Sequence, residues 1–201
     1  MEVSMNKSQD LIPPHGGYRK LRSFQAAQIL YDGTVIFCER FIDSRSRTRD
    51  QMVQAARSGV QNIAEGSMAS GTSKKTELKL TGVARASLEE LLLDYEDFLR
   101  QRRLKQWGKD SAEALKVRQK YWSDKSDASD RSDLYGLKSA TAEVAANTLL
   151  CLANQASYLL ARQLQTLEKT FMAEGGFTER LYSQRQAQRG NWKSVSKEKP
   201  A

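Results

Sequence analysis

The side chains that most often carry catalysis are sparse in this chain. His15 is its one histidine. It falls in Leu11-Ile12-Pro13-Pro14-His15-Gly16-Gly17, a stretch of breakers rather than a rigid element. Neither a nucleophile–base triad nor a zinc set can be assembled around it, and we expect it to face solvent. The carboxylates Glu89, Glu90, Asp94, Glu96 and Asp97 lie close together, and two of them could work as acid and base. No nucleophile accompanies them, however, and a charged helix face is usually a solvated one. Glu96 and Arg100 have the i,i+4 spacing of an ordinary surface pair. Gly66 to Lys74 has the glycine spacing of a phosphate loop, but Thr72 and Ser73 separate the second glycine from the lysine. The segment also leaves a helical pattern, not a strand. It reads as an interhelical turn whose free N–H groups, with Lys74 and Lys75, could hold one phosphate. Cys38 and Cys151 each sit in an apolar pattern, where a free thiol acts as a small hydrophobe. No catalytic, cofactor-binding or metal-ligating set is expected.

Binding chemistry is better represented. Lys plus Arg number 32 against 24 Asp plus Glu, a formal charge of +8. Arg19, Lys20 and Arg22 open the first helical pattern. Arg40, Arg45, Arg47 and Arg49 surround its far turn, and Lys74 and Lys75 open the third. In a hairpin arrangement these clusters cannot form one compact patch in a monomer. Repeated around an oligomer axis, they would form a belt with a long-range field suited to phosphates. Residues 177–201 hold Arg180, Arg185, Arg189, Lys193, Lys197 and Lys199 against Glu179 and Glu198, so this tail carries half of the +8 net charge. Its Phe177, Tyr182 and Trp192 would allow base stacking, but would equally suit docking on a protein.

The elements that must position these residues are helical. Leu21, Phe24, Gln28, Tyr31, Val35, Cys38 and Ile42 recur at steps of three and four and predict a helix over 18–43. A second row, Ala27, Leu30, Thr34, Phe37 and Phe41, lies on a neighbouring face. Two apolar faces predict two sets of neighbours, one of them a further helix or another subunit. Met52, Val53, Ala56, Val60, Ile63 and Ala64 predict a second helix over 50–65, kept slim by Ala55, Ala56 and Gly59, with Gly66 as its stop. Asn62 and Glu65 form a polar pair at its end, of the kind that fixes helix register. Thr72 or Ser73 can cap a third helix running to about 104, whose dipole suits Arg100, Arg102 and Arg103. After an insertion over 105–138, with a short helix at 111–121 and a polar low-complexity loop at 123–133, a fourth helix spans 139–174 and stops at Gly175-Gly176. The expected fold is all-α: an antiparallel up-down four-helix bundle with a short extra helix and a C-terminal tail. The domain plan is a flexible arm over 1–17, the bundle over 18–174 and a basic tail over 175–201. No run is apolar for long enough to span a bilayer, and the first residues lack a signal-peptide core, so the expected location is cytoplasmic.

Residues 51–66, Gln-Met-Val-Gln-Ala-Ala-Arg-Ser-Gly-Val-Gln-Asn-Ile-Ala-Glu-Gly, are followed by Ser73-Lys74-Lys75-Thr76-Glu77 and Ala86-Ser87-Leu88-Glu89-Glu90. This order resembles the four-helix-bundle family of proteins encoded in intervening sequences of bacterial large-subunit rRNA genes. The relatives of that family include the accessory variability determinants of diversity-generating retroelements. Tyr31-Asp32-Gly33-Thr34 and Phe37-Cys38-Glu39-Arg40-Phe41 look most like the longer branch called the four-helix bundle suffix proteins. The resemblance covers 17–104 best. It implies a homopentameric, basic bundle and, from the retroelement members, binding to nucleic acid and to a reverse transcriptase. It supplies no catalytic residues.

The expectation is therefore a non-enzymatic homo-oligomeric scaffold, accessory to a mobile element. It would bind RNA or DNA backbone through Arg45, Arg47, Arg49, Lys74, Lys75, Arg180, Arg185, Arg189 and Lys193. The alternative is a protein-interaction module that uses its tail and binds no nucleic acid. A nuclease is a third reading and would need carboxylates converging on a metal.

Overall fold

The computed structural model describes residues 12, 14–123 and 135–195. Residues 1–11 of the arm, the polar stretch 124–134 and residues 196–201 of the tail lie outside the described residues. A short 3-10 turn, Tyr18–Lys20, precedes six α-helices: α1 (Arg22–Phe41), α2 (Arg47–Ala69), α3 (Lys74–Gln101), α4 (Ala112–Ser123), α5 (Ala142–Glu174) and α6 (Phe177–Val195). Among the described residues there is no strand. No helix there is long and apolar enough to cross a membrane.

Three of the long helices, α2, α3 and α5, begin where a hydroxyl can take an orphan amide, while α1 starts at Leu21 without a side-chain cap. Ser46 Oγ accepts from Thr48 N, Ser73 Oγ from Thr76 N, and Thr141 Oγ1 from Val144 N. Gly175, at φ 66°, closes α5 in a conformation that residues with a Cβ avoid. The stop expected at Gly66 does not occur, and α2 continues to Ala69. Gly66 keeps a negative φ. Its role is steric: a Cβ there would lie 3.3 Å from Leu80 Cβ and 3.4 Å from the Glu77 carbonyl oxygen, so α2 and α3 approach almost backbone to backbone.

The helices pack α1 on α2, α2 on α3, α3 on α5 and α5 back on α1, with α4 against α5. Phe37, Tyr95, Leu30, Met52, Leu88 and Leu149 are among the fully buried side chains between them, each worth about 1.5–3 kcal/mol of apolar burial. Phe37 meets the edges of Tyr95 and Phe98 at centroid distances of 5.2 and 4.7 Å. Tyr95 keeps its hydroxyl satisfied on Thr34 Oγ1 at 2.8 Å.

Both apolar rows of α1 are covered within one chain. Ala27, Leu30, Thr34 and Phe37 are buried, and Tyr31, Val35 and Ile42 are half-buried. The two-faced pattern therefore does not by itself demand another subunit. The insertion also feeds the core: Val117, Tyr121 and Leu137 join it, although its sequence pattern is weak. At the chain's start, Gly16 N donates to Ser67 O at 3.1 Å, and His15 and Ile12 lie over Gly71. The end of the arm thus rests on the α2–α3 turn, with His15 exposed. Residues 177–195 of the expected tail are a helix, α6, which is not among the five helices that pack on one another.

Candidate nucleic-acid interface

The turn between α1 and α2 is built by its own polar side chains. Asp43 Oδ1 accepts from Arg45 N at 2.8 Å, and the Ser46 cap then starts α2. The Arg45 side chain projects outward, 92% exposed, with only a loose 3.8 Å contact to Asp43. Such a surface pair contributes little and leaves the charge available. Arg47 is exposed as well. It borders a shallow cleft between α2 and α3 that Asp50, Ser87 and Glu90 also line. Arg49 differs, being half-buried and lining a recess with Cys38 and Val53. Burial pushes the Cys38 thiol up to about 12, and the neighbouring Arg49 charge only partly opposes this. Cys38 and Cys151 are both free thiols.

The end of α3 arrives at the same place. Arg102 Nη2 donates to the Phe41 carbonyl at 3.0 Å while its guanidinium lies 3.8 Å from the Phe98 ring centroid. Arg40 Nη1 donates to the Leu137 carbonyl and stacks over Phe41 at 4.4 Å. Helix C-termini carry unpaired carbonyls and a partial negative charge, so arginines gather there. Arg103, at φ 55°, and Arg100, paired with Asp97 at 2.6 Å, complete this end. Sequence reasoning treats Arg100, Arg102 and Arg103 only as dipole partners, and pairs Arg100 with Glu96. The missed signal is that Arg40 and the Arg100–Arg103 run each close a helix C-terminus, and the ends of α1 and α3 meet where Arg102 bonds Phe41, beside the turn that carries Arg45, Arg47 and Arg49.

No family model, curated protein or solved structure matches the chain.

The remaining basic residues do not join this end. Lys74 and Lys75 open α3 beyond the far end of α2, whose 23 residues span about 35 Å. Lys74 is only 21% exposed and is held by Glu77 at 3.0 Å, while Lys75 is exposed. Arg185 and Arg189 are exposed on α6, and Arg180 is half-buried. Arg180 Nε and Nη2 have no hydrogen-bond partner among the described residues. Lys193 falls in α6, with its side chain outside the described part. Asn62 and Glu65 do not bond to one another. Asn62 Nδ2 donates to Ser58 O and Ser58 Oγ, at 2.9 and 3.1 Å, and Glu65 is exposed. The cross-link between α2 and α3 is instead Ser58 to Ser87 at 3.1 Å, with Asn62 behind it.

Of the α3 carboxylates, Asp94 is raised to about 6, by burial first and then by Glu90 and Asp97. Among the described residues no group of three or more His, Cys, Asp or Glu side chains could hold a metal ion.

Proposed function

We propose that this chain is a non-enzymatic helical scaffold that binds the phosphate backbone of RNA or DNA at the end where α1 and α3 terminate. The observation that carries the reading is the Arg102–Phe41 bond, which joins the 40–49 arginines to the 100–103 arginines. Arg45, Arg47 and Arg103 then present exposed charge on a supported surface, the arrangement a phosphate-binding face needs. Lys75, Arg185 and Arg189 add contacts for a longer strand. The helix contacts and the short connections over 42–46 and 70–73 support an antiparallel up-down arrangement of the four long helices. Assembly into a homo-oligomer, five copies by the family resemblance, would repeat the basic end around an axis. Exposed Val83 and Leu93 on α3 (40% and 61%) support such self-contact. A cytoplasmic, retroelement-accessory role beside a reverse transcriptase follows from the resemblance alone.

The test is binding of labelled single-stranded RNA and duplex DNA across a salt series, with the mass of the complex recorded. A backbone binder loses affinity linearly on a log–log plot, with a slope of about −0.9 per duplex phosphate contacted. The Arg45→Ala/Arg47→Ala/Arg103→Ala variant is expected to flatten the slope by two to three such contacts. An unchanged slope rejects the interface, and magnesium-dependent cleavage by the purified protein rejects the non-enzymatic reading.

A second reading is favoured by α6, which is not among the five helices that pack on one another yet exposes Tyr182 at 66%. In that reading α6 docks on a protein partner. Deleting 177–201 would then abolish partner capture while leaving backbone binding intact.

A further inference from the structure

Beside α5 lies a cavity of about 470 Å³ whose lining differs from the basic end in kind. α4 contributes Arg118 and Trp122, the segment after α3 contributes Trp107 and Lys109, and α5 contributes Gln155 and Tyr158. Three aromatic rings therefore surround one space. The volume is within the roughly 300–1,000 Å³ of small-molecule sites.

The walls are held in place. Asn147, fully buried on α5, accepts from Trp107 N at 2.7 Å and donates to Lys105 O at 2.8 Å and Glu143 O at 2.9 Å. One amide thus clamps the segment that carries Trp107 against α5. Trp122 is fixed by the Arg22 guanidinium, 5.1 Å from its ring centroid, and by the edge of Tyr121 at 5.4 Å. It still leaves 49% of its surface open, and Tyr158 leaves 55% open.

Gln155 is the decisive residue. It is 7% exposed, and among the described residues neither its amide nitrogen nor its amide oxygen has a hydrogen-bond partner. A buried amide left without partners is costly, and native structures rarely keep one without a reason. Gln155 itself lines the aromatic-walled space. Arg118 and Lys109 line the same cavity, and Arg118 Nη2 donates to the Lys109 carbonyl, which ties the Arg118 side chain to the Lys109 backbone. Glu96, also on the lining, is engaged by Gln106 at 3.3 Å and would repel an anion, which leaves a phosphate to Arg118 and Lys109.

We infer that this cavity binds a nucleoside 5′-phosphate group. The base stacks among Trp107, Trp122 and Tyr158, its hydrogen-bonding edge meets the Gln155 amide, and its phosphate meets Arg118 and Lys109. Aromatic faces accept any base, while a glutamine amide matches the adenine edge in two bonds. The group can be a free mononucleotide or one nucleotide of a single strand. The inference uses residues separate from the Arg45–Arg47 turn and does not rest on the backbone-binding reading.

The test is calorimetric titration of the full chain with AMP, at a salt concentration that suppresses duplex binding. One AMP per chain is expected. Gln155→Leu should weaken it by about tenfold or more without lowering the melting temperature, because it replaces an unsatisfied amide with an apolar group. Tyr158→Ala, at an exposed position, should weaken it similarly and serves if the Gln155 variant misfolds. Adenosine should bind more weakly than AMP, and Arg118→Gln should remove that difference. A 5′-phosphorylated single-stranded hexamer separates the sources: displacement of AMP, with loss of hexamer affinity in Gln155→Leu, assigns the site to a strand. AMP binding with no hexamer competition assigns it to the free nucleotide. No saturable AMP or hexamer binding at this site, or folded Gln155→Leu and Tyr158→Ala variants that bind as well as the parent, overturns the inference and leaves a water-filled cleft. Loss of the duplex salt slope in the arginine variant reads the other surface, so the two proposals fail independently.

Discussion

At the scale of single residues, the polar groups between the helices are mostly matched one to one. Thr34 receives Tyr95 and gives its own hydrogen to Leu30 O at 2.6 Å, and Asn147 has three partners. Asp94 is the exception among the carboxylates, since burial and two neighbouring acids disfavour its charge. Its folded value of about 6 lies above its ordinary 3.8, so the folded state holds the proton more tightly than the unfolded one. The associated stability is complete below about pH 3.8 and is lost as pH rises through about 6. Asp94→Asn removes that loss. The variant should be more stable than the parent at pH 7, and its stability should fall less between pH 4 and 6. Urea titrations at three pH values check this, and parallel curves for the two proteins would remove Asp94 from the account. The shift was not legible from sequence, where Asp94 is one more acid on a charged helix. Its partial burial in the folded chain is what desolvates it.

At the scale of elements, helix existence was legible and helix contact was not. The three- and four-residue spacing of Leu80, Ala84, Leu88 and Leu91 settles α3 before any tertiary contact is considered. Whether a glycine ends a helix or lets another helix in depends on what lies opposite it. Gly82 and Gly66 make the contrast measurable. A Cβ at Gly82, in the interior of α3, meets nothing within 4 Å, so Gly82→Ala should stabilise by about 0.5–1 kcal/mol through reduced unfolded-chain freedom. Gly66→Ala gains the same propensity but presses on Leu80 and the Glu77 backbone, and should destabilise by about 1 kcal/mol net. Thermal unfolding of the pair decides it, and equal shifts would mean that α2 and α3 are not closely apposed. The loop expected at 66–73 shortens to 70–73 for the same reason.

At the scale of the whole molecule, charge is distributed to the ends and to α6, while the acids of α3 occupy the side. No buried residue of α5 lies beyond Leu160, so the last turns of that helix and α6 add little to the core. Deleting 177–201 should leave the melting temperature within about 2 °C, while removing half of the +8 net charge. A larger drop would show that α6 is part of the cooperative unit. The convergence of the Arg40–Arg49 and Arg100–Arg103 runs also belongs to this scale. Residues sixty apart in sequence meet there only because α1 and α3 end together.

The all-helical class, the positions of the long helices, the hydroxyl cap of α3 and the basic character of the turns were determined by local spacing and composition, because helix formation and capping depend on neighbours within a few residues. The tertiary structure alone decided that both apolar rows of α1 are covered within one chain and that Gly66 is a point of contact. It alone brought two arginine runs into one end, and Trp107, Trp122, Tyr158 and Gln155 around one cavity. Those outcomes depend on which distant surfaces exclude water together, and a periodic pattern carries no information about the identity of the partner across the interface.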